Sequence, residues 1–452
     1  MVLLMHRQSV TCKRPFARLR QLAGWVSAAI LVACSNSSEP LAPLVVASDV
    51  ALQSPARIET SSDESAWLVW TEVSASGDST ASAARVDASD RVTRWTLSAA
   101  PSNQAFEAQI VIVGDRPLVA RVEDNGNDRQ HRVASWNGRT WVSEQPPPVN
   151  GFLFDLSRLS AGPAGEAYLS WSEMSDTGGS RLLAAQRTVD GTWSSATTLA
   201  SSAFPYSQSP RIAVDSDGRA MAVWLQRLTP ANSDALFALR AARFDQIAGT
   251  WNDAVELDAG AWAPDIARCG AGEWVALWIR SDGFGARQSL WARRFSAGVW
   301  QASVRIDTAP DEDPGPIAVD SAPRSIRAAW IANTVETFIR RGVRVASFDC
   351  GAGQWSPPVL VREPSLSLAV SVQLKHASDG RPAASWGWLS SPFRPEMAQN
   401  DGQRWLPPLV LDPDSENSNG PVMAALSNGG WATAWFRYRR FNRHDVVFRR
   451  VQ

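Results

Sequence analysis

Tryptophan returns along this chain at a nearly fixed interval, and that interval restricts the fold more than any other feature. Trp70, Trp171, Trp224, Trp278, Trp330, Trp386 and Trp435 each close a short apolar stretch, Arg121 fills the slot between the first two, and the gaps run from 49 to 56 residues. A second ladder, Trp95, Trp141, Trp193, Trp251, Trp300, Trp355 and Trp405, interleaves with the first. With 22 Trp against 3 Tyr, most of the indoles mark a repeated packing position rather than separate binding sites.

The clearest repeat reads "SPRIAVDSDGRAMAVWLQ" from Ser209, then "ALFALRAARFD", then "GTWNDAVELD". Four short strands separated by Gly, Asp, Asn and Pro turns, recurring about every 50 residues, predict propeller blades rather than a helical solenoid. In "RAMAVW", Ala220, Ala222 and Trp224 share one strand face while Met221 and Val223 share the other. Both faces are apolar, which suits a sheet sandwiched between two others. The ladder tryptophans are therefore expected in the core.

The two chain ends complement each other. "PLAPLVVASD" from Pro40 resembles "WLPPLVLDPD" from Trp405, and the last repeat, ending in "HDVVFRRVQ", stops one strand short. Residues 41–47 are expected to supply that strand, which would remove an exposed sheet edge. The predicted fold is thus all-β: a single eight-bladed β-propeller of four-stranded blades closed by an N-terminal strand. Seven blades is the alternative, if the divergent second repeat is not a blade.

Residues 1–33 carry Arg7, Lys13, Arg14, Arg18 and Arg20, no acid, and then the apolar run Leu22–Ala33. Twelve apolar residues are too few to span a bilayer but suit a signal-peptide core. "LVAC", Leu31–Cys34, followed by polar "SNSSEP", resembles the lipobox of bacterial lipoproteins. That resemblance implies cleavage before Cys34, acylation of Cys34 and, with Ser35 rather than Asp next, sorting to the outer membrane. The expected organisation is a lipoprotein signal peptide over 1–33, a lipidated tether over 34–40 and a propeller over 41–452. The membrane would be reached through the acyl anchor alone. Removing the five leader charges from a formal net charge of −1 leaves about −6, which excludes a general electrostatic role with nucleic acid.

Beyond Cys34 only Cys269 and Cys350 remain, both in the string "CGAG" and in neighbouring repeats. An extracytoplasmic compartment permits a disulfide between them; two buried free thiols are the alternative.

Catalytic motifs do not stand out. His131, His376 and His444 lie in different repeats, too scattered for a transition-metal site, and no nucleophile elbow, phosphate loop or zinc-protease helix is present. No cofactor is expected, calcium excepted: "EDNGND" (Glu123–Asp128), "DTAPDED" (Asp307–Asp313) and "DPDSENSNG" (Asp412–Gly420) hold calcium-type oxygens, though without a calcium-loop spacing. "SFDCGAGQW" from Ser347 and "TVDGTW" from Thr188 resemble degenerate Asp-boxes, the Ser-x-Asp-x-Gly…Trp turns of sialidase-type propellers. In that motif the Asp and Ser satisfy a tight hairpin, so the resemblance implies a folding device. Sialidase activity is not carried over: Tyr168 belongs inside a strand, Tyr206 to a connection and Tyr438 to a strand end, with no arginine trio or Glu partner to match.

One cluster suits an anionic ligand. In "WFRYRRFNRHD", Arg437, Arg439, Arg440 and Arg443 alternate with Tyr438, His444 and other rings, and guanidiniums beside aromatic faces fit carboxylated or phosphorylated sugars. The opposing reading is a solvated hairpin whose arginine stems cover apolar surface. Arg121 is expected to reach solvent at a strand end. A non-catalytic binding scaffold for a protein or glycan partner is the expected function. Lectin-like sugar binding, or a sialidase-like glycan hydrolase, are the alternatives.

Overall fold

Strand alternation governs how each sheet is buried. In the computed structural model, Ala220, Ala222 and Trp224 pack into one hydrophobic cluster with residues of the preceding sheet, and Met221, Val223 and Leu225 into another with the following sheet. The structure describes residues 42–452 apart from 75–76, 99–103, 154–156, 175–178, 203–209, 230–236, 282–286, 310, 335–340, 366–368, 389–392, 416 and 441. Leu41–Gln452 form one compact unit. Cys34, Tyr206 and Phe441 lie outside the described residues.

The described chain is all-β and of β-propeller type, with antiparallel sheets following one another along the sequence. The sheet that follows Trp224 shows the pattern: first strand Ala261–Gly270, second Glu273–Ser281, third Gln288–Ser296, and a fourth split into Val299–Trp300 and Val304–Arg305. Trp70, Trp171, Trp224, Trp278, Trp330, Trp386 and Trp435 are all fully buried on second strands. The second ladder is half-buried at fourth strands, where indoles cap the clusters: Phe244 meets Trp251 with ring centroids 5.2 Å apart, and Phe348 meets Trp355 at 5.3 Å.

The 17-residue strand Leu44–Thr60 belongs to two four-stranded groups. Its first part runs antiparallel to Arg443–Val451, Leu44 opposite Phe448 and Val50 opposite His444. Its second part pairs with Ala66–Val73, Arg57 opposite Val69. Each first strand touches the first strand of the next group, and Ser418–Ala425 touches Leu44–Thr60, so the first strands close a circle.

Register shifts recur in these first strands, before Arg57, Gln109, Asp265, Ile317 and Val422. A bulge inserts a residue and re-aims the side chains beyond it. Here it sets the side chains that line the interior of the circle.

Candidate functional site

The arginines of the last hairpin are already engaged. Arg437 donates from Nε (3.0 Å) and Nη2 (2.9 Å) to Asp412, a wholly buried carboxylate that also accepts from Trp435 Nε1 (2.9 Å) and Ser418 Oγ (2.6 Å). Arg439 pairs with buried Asp445 at 2.6 Å, and Arg440 meets Asp49 at 3.2 Å. Arg443 Nη1 donates to the Asp49 carbonyl at 2.9 Å. Tyr438 is exposed and stands edge-on to His444 with centroids 5.5 Å apart; burial lowers the His444 pKa. The cluster therefore ties the last hairpin to the strand that begins at Leu44.

The Asp412 arrangement repeats elsewhere. Trp278 Nε1 donates to Asp258 at 2.7 Å beside Arg280, and Trp386 Nε1 donates to Glu396 at 3.0 Å beside Arg362. A carboxylate that takes both an indole N–H and a guanidinium is a packing device of this fold. The acidic connections behave alike: Asp307 pairs with Arg305 at 2.7 Å, Glu312 with Arg344, Asp313 with Arg287 and Asp124 with Arg129. Among the described residues no group of three His, Cys, Asp or Glu is placed to hold a metal ion.

Arg121 does not reach solvent. It is 5% exposed and pairs with buried Glu123 at 2.7 Å, two residues along the same strand face. Burial lowers its pKa and the Glu123 carboxylate opposes that; the local counter-ion is why a cation can replace the indole. Nearby, His131 is buried, its Nε2 lying 2.6 Å from the Pro147 carbonyl, and burial lowers its pKa to about 4.

Cys269 and Cys350 form a disulfide with Cα atoms 5.6 Å apart. The two "CGAG" strings occupy different turns: Cys269 precedes the turn between first and second strands of its sheet, Cys350 the turn between third and fourth strands of the next. In the latter, Asp349 Oδ1 accepts from Gly351 N (2.8 Å) and Ala352 N (2.9 Å), the folding role that the Asp-box resemblance implies. Tyr168 is buried between sheets beside Phe244, and burial raises its pKa.

Where first strands converge, the structure contains a polar cavity of about 440 Å³. Its wall takes Gln109, Arg158, Arg211, Asp265, Asp320 and Lys375 from six successive first strands. Such a volume lies within the usual range for small-ligand sites. A second space of about 230 Å³ adjoins it, with Ala263, Pro264, Pro316 and Ile317 in its wall. Arg158, Arg211 and Asp265 line both, so they form the neck between a polar chamber and a more apolar one.

Alternation aims these three residues inward. Leu159, Ile212 and Ile266, the next residues in each strand, are buried in the clusters between sheets, which turns their charged neighbours toward the interior. Arg211 makes no hydrogen bond or ion pair with any described residue, and the Asp265 carboxylate accepts only from the adjoining Ile266 N–H at 2.9 Å. Burial pushes the Asp265 carboxyl above its ordinary value against the pull of Arg211 and Arg158. Two other charged residues of the wall have partners: Lys375 pairs with Glu59 at 3.0 Å, and Asp320 accepts from His376 N at 2.7 Å and lies 2.8 Å from its Nδ1. Arg211 and Asp265 thus keep unused hydrogen-bonding capacity, and no residue of the neck stood out in the sequence. The available signal was a single charge in each of "RLSA", "RIAV" and "PDIA".

No protein-family model matches the chain, and no curated protein matches it. Among solved structures it is similar to the polysaccharide lyase Uly1, at 9% identity and TM-score 0.49 over 88% of this chain and 89% of that one. It is also similar to the β-propeller domain of the Trilobed protease from Pyrococcus furiosus, at 9% and 0.47 over 81% and 98%. The NanB sialidase from Streptococcus pneumoniae matches at 9% and 0.40 over 76% and 67%. At such identities and scores these likenesses do not bear on what the chain binds.

Proposed function

We propose that the protein is an eight-bladed β-propeller, anchored outside the cytoplasm through lipid on Cys34, that works as a non-catalytic binding scaffold with its ligand seat at the neck of the central cavity. The observation that carries this reading is the convergence of Arg158, Arg211 and Asp265 from three successive first strands. Arg211 is solvent-exposed, and a guanidinium without protein partners can take an anion there. The Arg211 guanidinium has none among the described residues, Asp265 accepts from a single backbone N–H, and both face a space of ligand size.

Eight four-stranded groups arise if the double-length strand Leu44–Thr60 counts once in each of two blades, and the closed circle of first-strand contacts supports that count. The outer-membrane address and the acyl anchor rest on the lipobox resemblance at Leu31–Cys34. Binding is favoured over glycan hydrolysis because the cavity wall holds no tyrosine or glutamate among the described residues, and Tyr168 is sealed between sheets.

Thermal unfolding of the full chain against a panel of glycans, sugar acids and inorganic anions tests the seat. A bound state raises the midpoint with ligand excess. The expected result is a selective rise that Arg211→Gln abolishes and Arg440→Ala does not. A rise that depends on Arg440 instead would move the site to the last hairpin, and turnover of any glycan would end the non-catalytic reading. Mass spectrometry of membrane-extracted protein should find an acylated N-terminal Cys34; an unmodified leader would remove the anchor.

A further inference from the structure

One end of the sheets exposes apolar side chains that neither the core nor the neck uses. Turns between first and second strands touch their neighbours along the circle: Ser62 N donates to Asp115 Oδ1 (2.6 Å), Gly272 N to Asp215 Oδ2 (2.5 Å), Ser378 Oγ to the Ser427 carbonyl (3.3 Å) and Asn428 N to Glu64 Oε1 (2.9 Å). These turns share one face. Antiparallel strands bring the turns between third and fourth strands to the same face, as where Gly270 pairs with Glu273, Trp274 with Phe295 and Ser296 with Val299.

In three successive sheets the third-to-fourth turn carries a bare aliphatic side chain: Val189, Ile247 and Val299 are 68%, 100% and 60% exposed. Each turn is well tied. Asp245 Oδ1 accepts from Ile247 N (2.9 Å) and Ala248 N (3.0 Å), Gly191 N donates to the Thr188 carbonyl (3.0 Å), and Ala297 and Gly298, with φ of 50° and 83°, set Ser296 opposite Val299. Single exposed aliphatics are ordinary, but several on one face mark a contact surface. The entry of the chain indicates what that surface meets. Leu44 pairs with Phe448 and Val50 with His444, while Val451 pairs with Trp431 beside the turn that Leu426 N closes on the Gly430 carbonyl. Leu44 therefore enters on the face of the apolar turns. It follows Cys34 by ten residues, a tether that extends about 35 Å at most.

We propose that this face rests on the lipid bilayer, with Val189, Ile247 and Val299 inserted at the boundary between headgroups and acyl chains. The inference rests on the acyl anchor at Cys34 proposed above and is independent of the neck. An anchor alone holds one point of the protein near the membrane. The aliphatic turns, on other sheets than Leu44, would fix its orientation and turn the loops between second and third strands away from the lipid.

The full chain, purified from membranes in detergent and reconstituted into phosphatidylcholine vesicles that carry a nitroxide lipid, tests this. A fluorophore on Ile247→Cys should be quenched several-fold more than one on Tyr438→Cys, an exposed position near the hairpin turn at the opposite end of its sheet. Adding Val189→Ser and Val299→Ser to the labelled Ile247→Cys chain should lower its quenching. Quenching that ignores the two serines, or that is equal or stronger at Tyr438→Cys, overturns the proposal, while flotation of the same chain with the vesicles keeps the anchor. A chain that does not float overturns the anchor and the docking together. Shielding of the Ile247→Cys label in detergent that grows with protein concentration gives the surface to a second copy of the chain and also overturns the proposal.

Discussion

Removing the Asp412 carboxylate separates packing chemistry from ligand chemistry in the last hairpin. Asp412→Ala takes away the one acceptor shared by Trp435 Nε1, Ser418 Oγ and two nitrogens of Arg437, in a place with no exposed surface. Breaking one side of a buried ion pair costs on the order of 3–5 kcal/mol. The Arg437 side chain is 24% exposed and regains some hydration, so about 3 kcal/mol is expected. The matched control is Arg440→Ala, whose pair with Asp49 joins side chains 73% and 52% exposed; pairs in the open contribute ~0–1 kcal/mol.

Denaturant midpoints followed by tryptophan emission give both numbers, and pH gives a second check. Burial opposes ionisation of Asp412, but the hydrogen bonds from Arg437, Ser418 and Trp435 outweigh it and hold the carboxyl below its ordinary value. A carboxyl with a lowered folded pKa stabilises above the unfolded value, about 3.9, and loses that contribution as pH falls through the folded value. The gap between wild type and Asp412→Ala should therefore narrow in strong acid. Equal losses for Asp412→Ala and Arg440→Ala, or a gap that does not close, would refute the packing role.

Three other outcomes are expected. Deleting residues 42–50 exposes the edge of Arg443–Val451 and removes buried Val46, Ala47 and Val50 from their cluster, so the variant should melt earlier and self-associate, as read by light scattering. Replacing Cys269 and Cys350 by Ser opens a link across 81 residues; chain entropy puts the loss at roughly 4–5 kcal/mol, read from denaturant midpoints against the oxidised wild type. The His131 pKa, depressed to about 4, predicts that stability is full above the unfolded value near 6.5 and falls as pH drops toward the folded one. The fall should be on the order of 3 kcal/mol, and His131→Asn should flatten that part of the pH profile.

Periodicity made the architecture legible. Buried indoles at a fixed interval and two-sided apolar strands announced stacked sheets, and the likeness of the chain ends announced the shared strand, which pairs over Leu44–Val50 rather than 41–47. Side-chain partners were less legible, because they come from other repeats. Nothing local to "WFRYRRFNRHD" reveals that Asp412, 25 positions before Arg437, holds its guanidinium. The Arg121 pair, by contrast, is local: Glu123 lies two residues on, hence on the same strand face, so "RVE" itself carries the counter-ion. The neck was invisible because Arg158, Arg211 and Asp265 meet only once the circle closes, and Asp265 comes after a register shift that no motif records.

The double-length strand Leu44–Thr60 also orders events during synthesis. Its partner Arg443–Val451 is made last, and contacts such as Asp49 N to Asp445 Oδ1 span 396 residues. Closing a loop of that size is entropically slow. Until the final residues emerge, the earliest strand waits as an open latch, so a premature stop anywhere upstream leaves a ring that cannot shut.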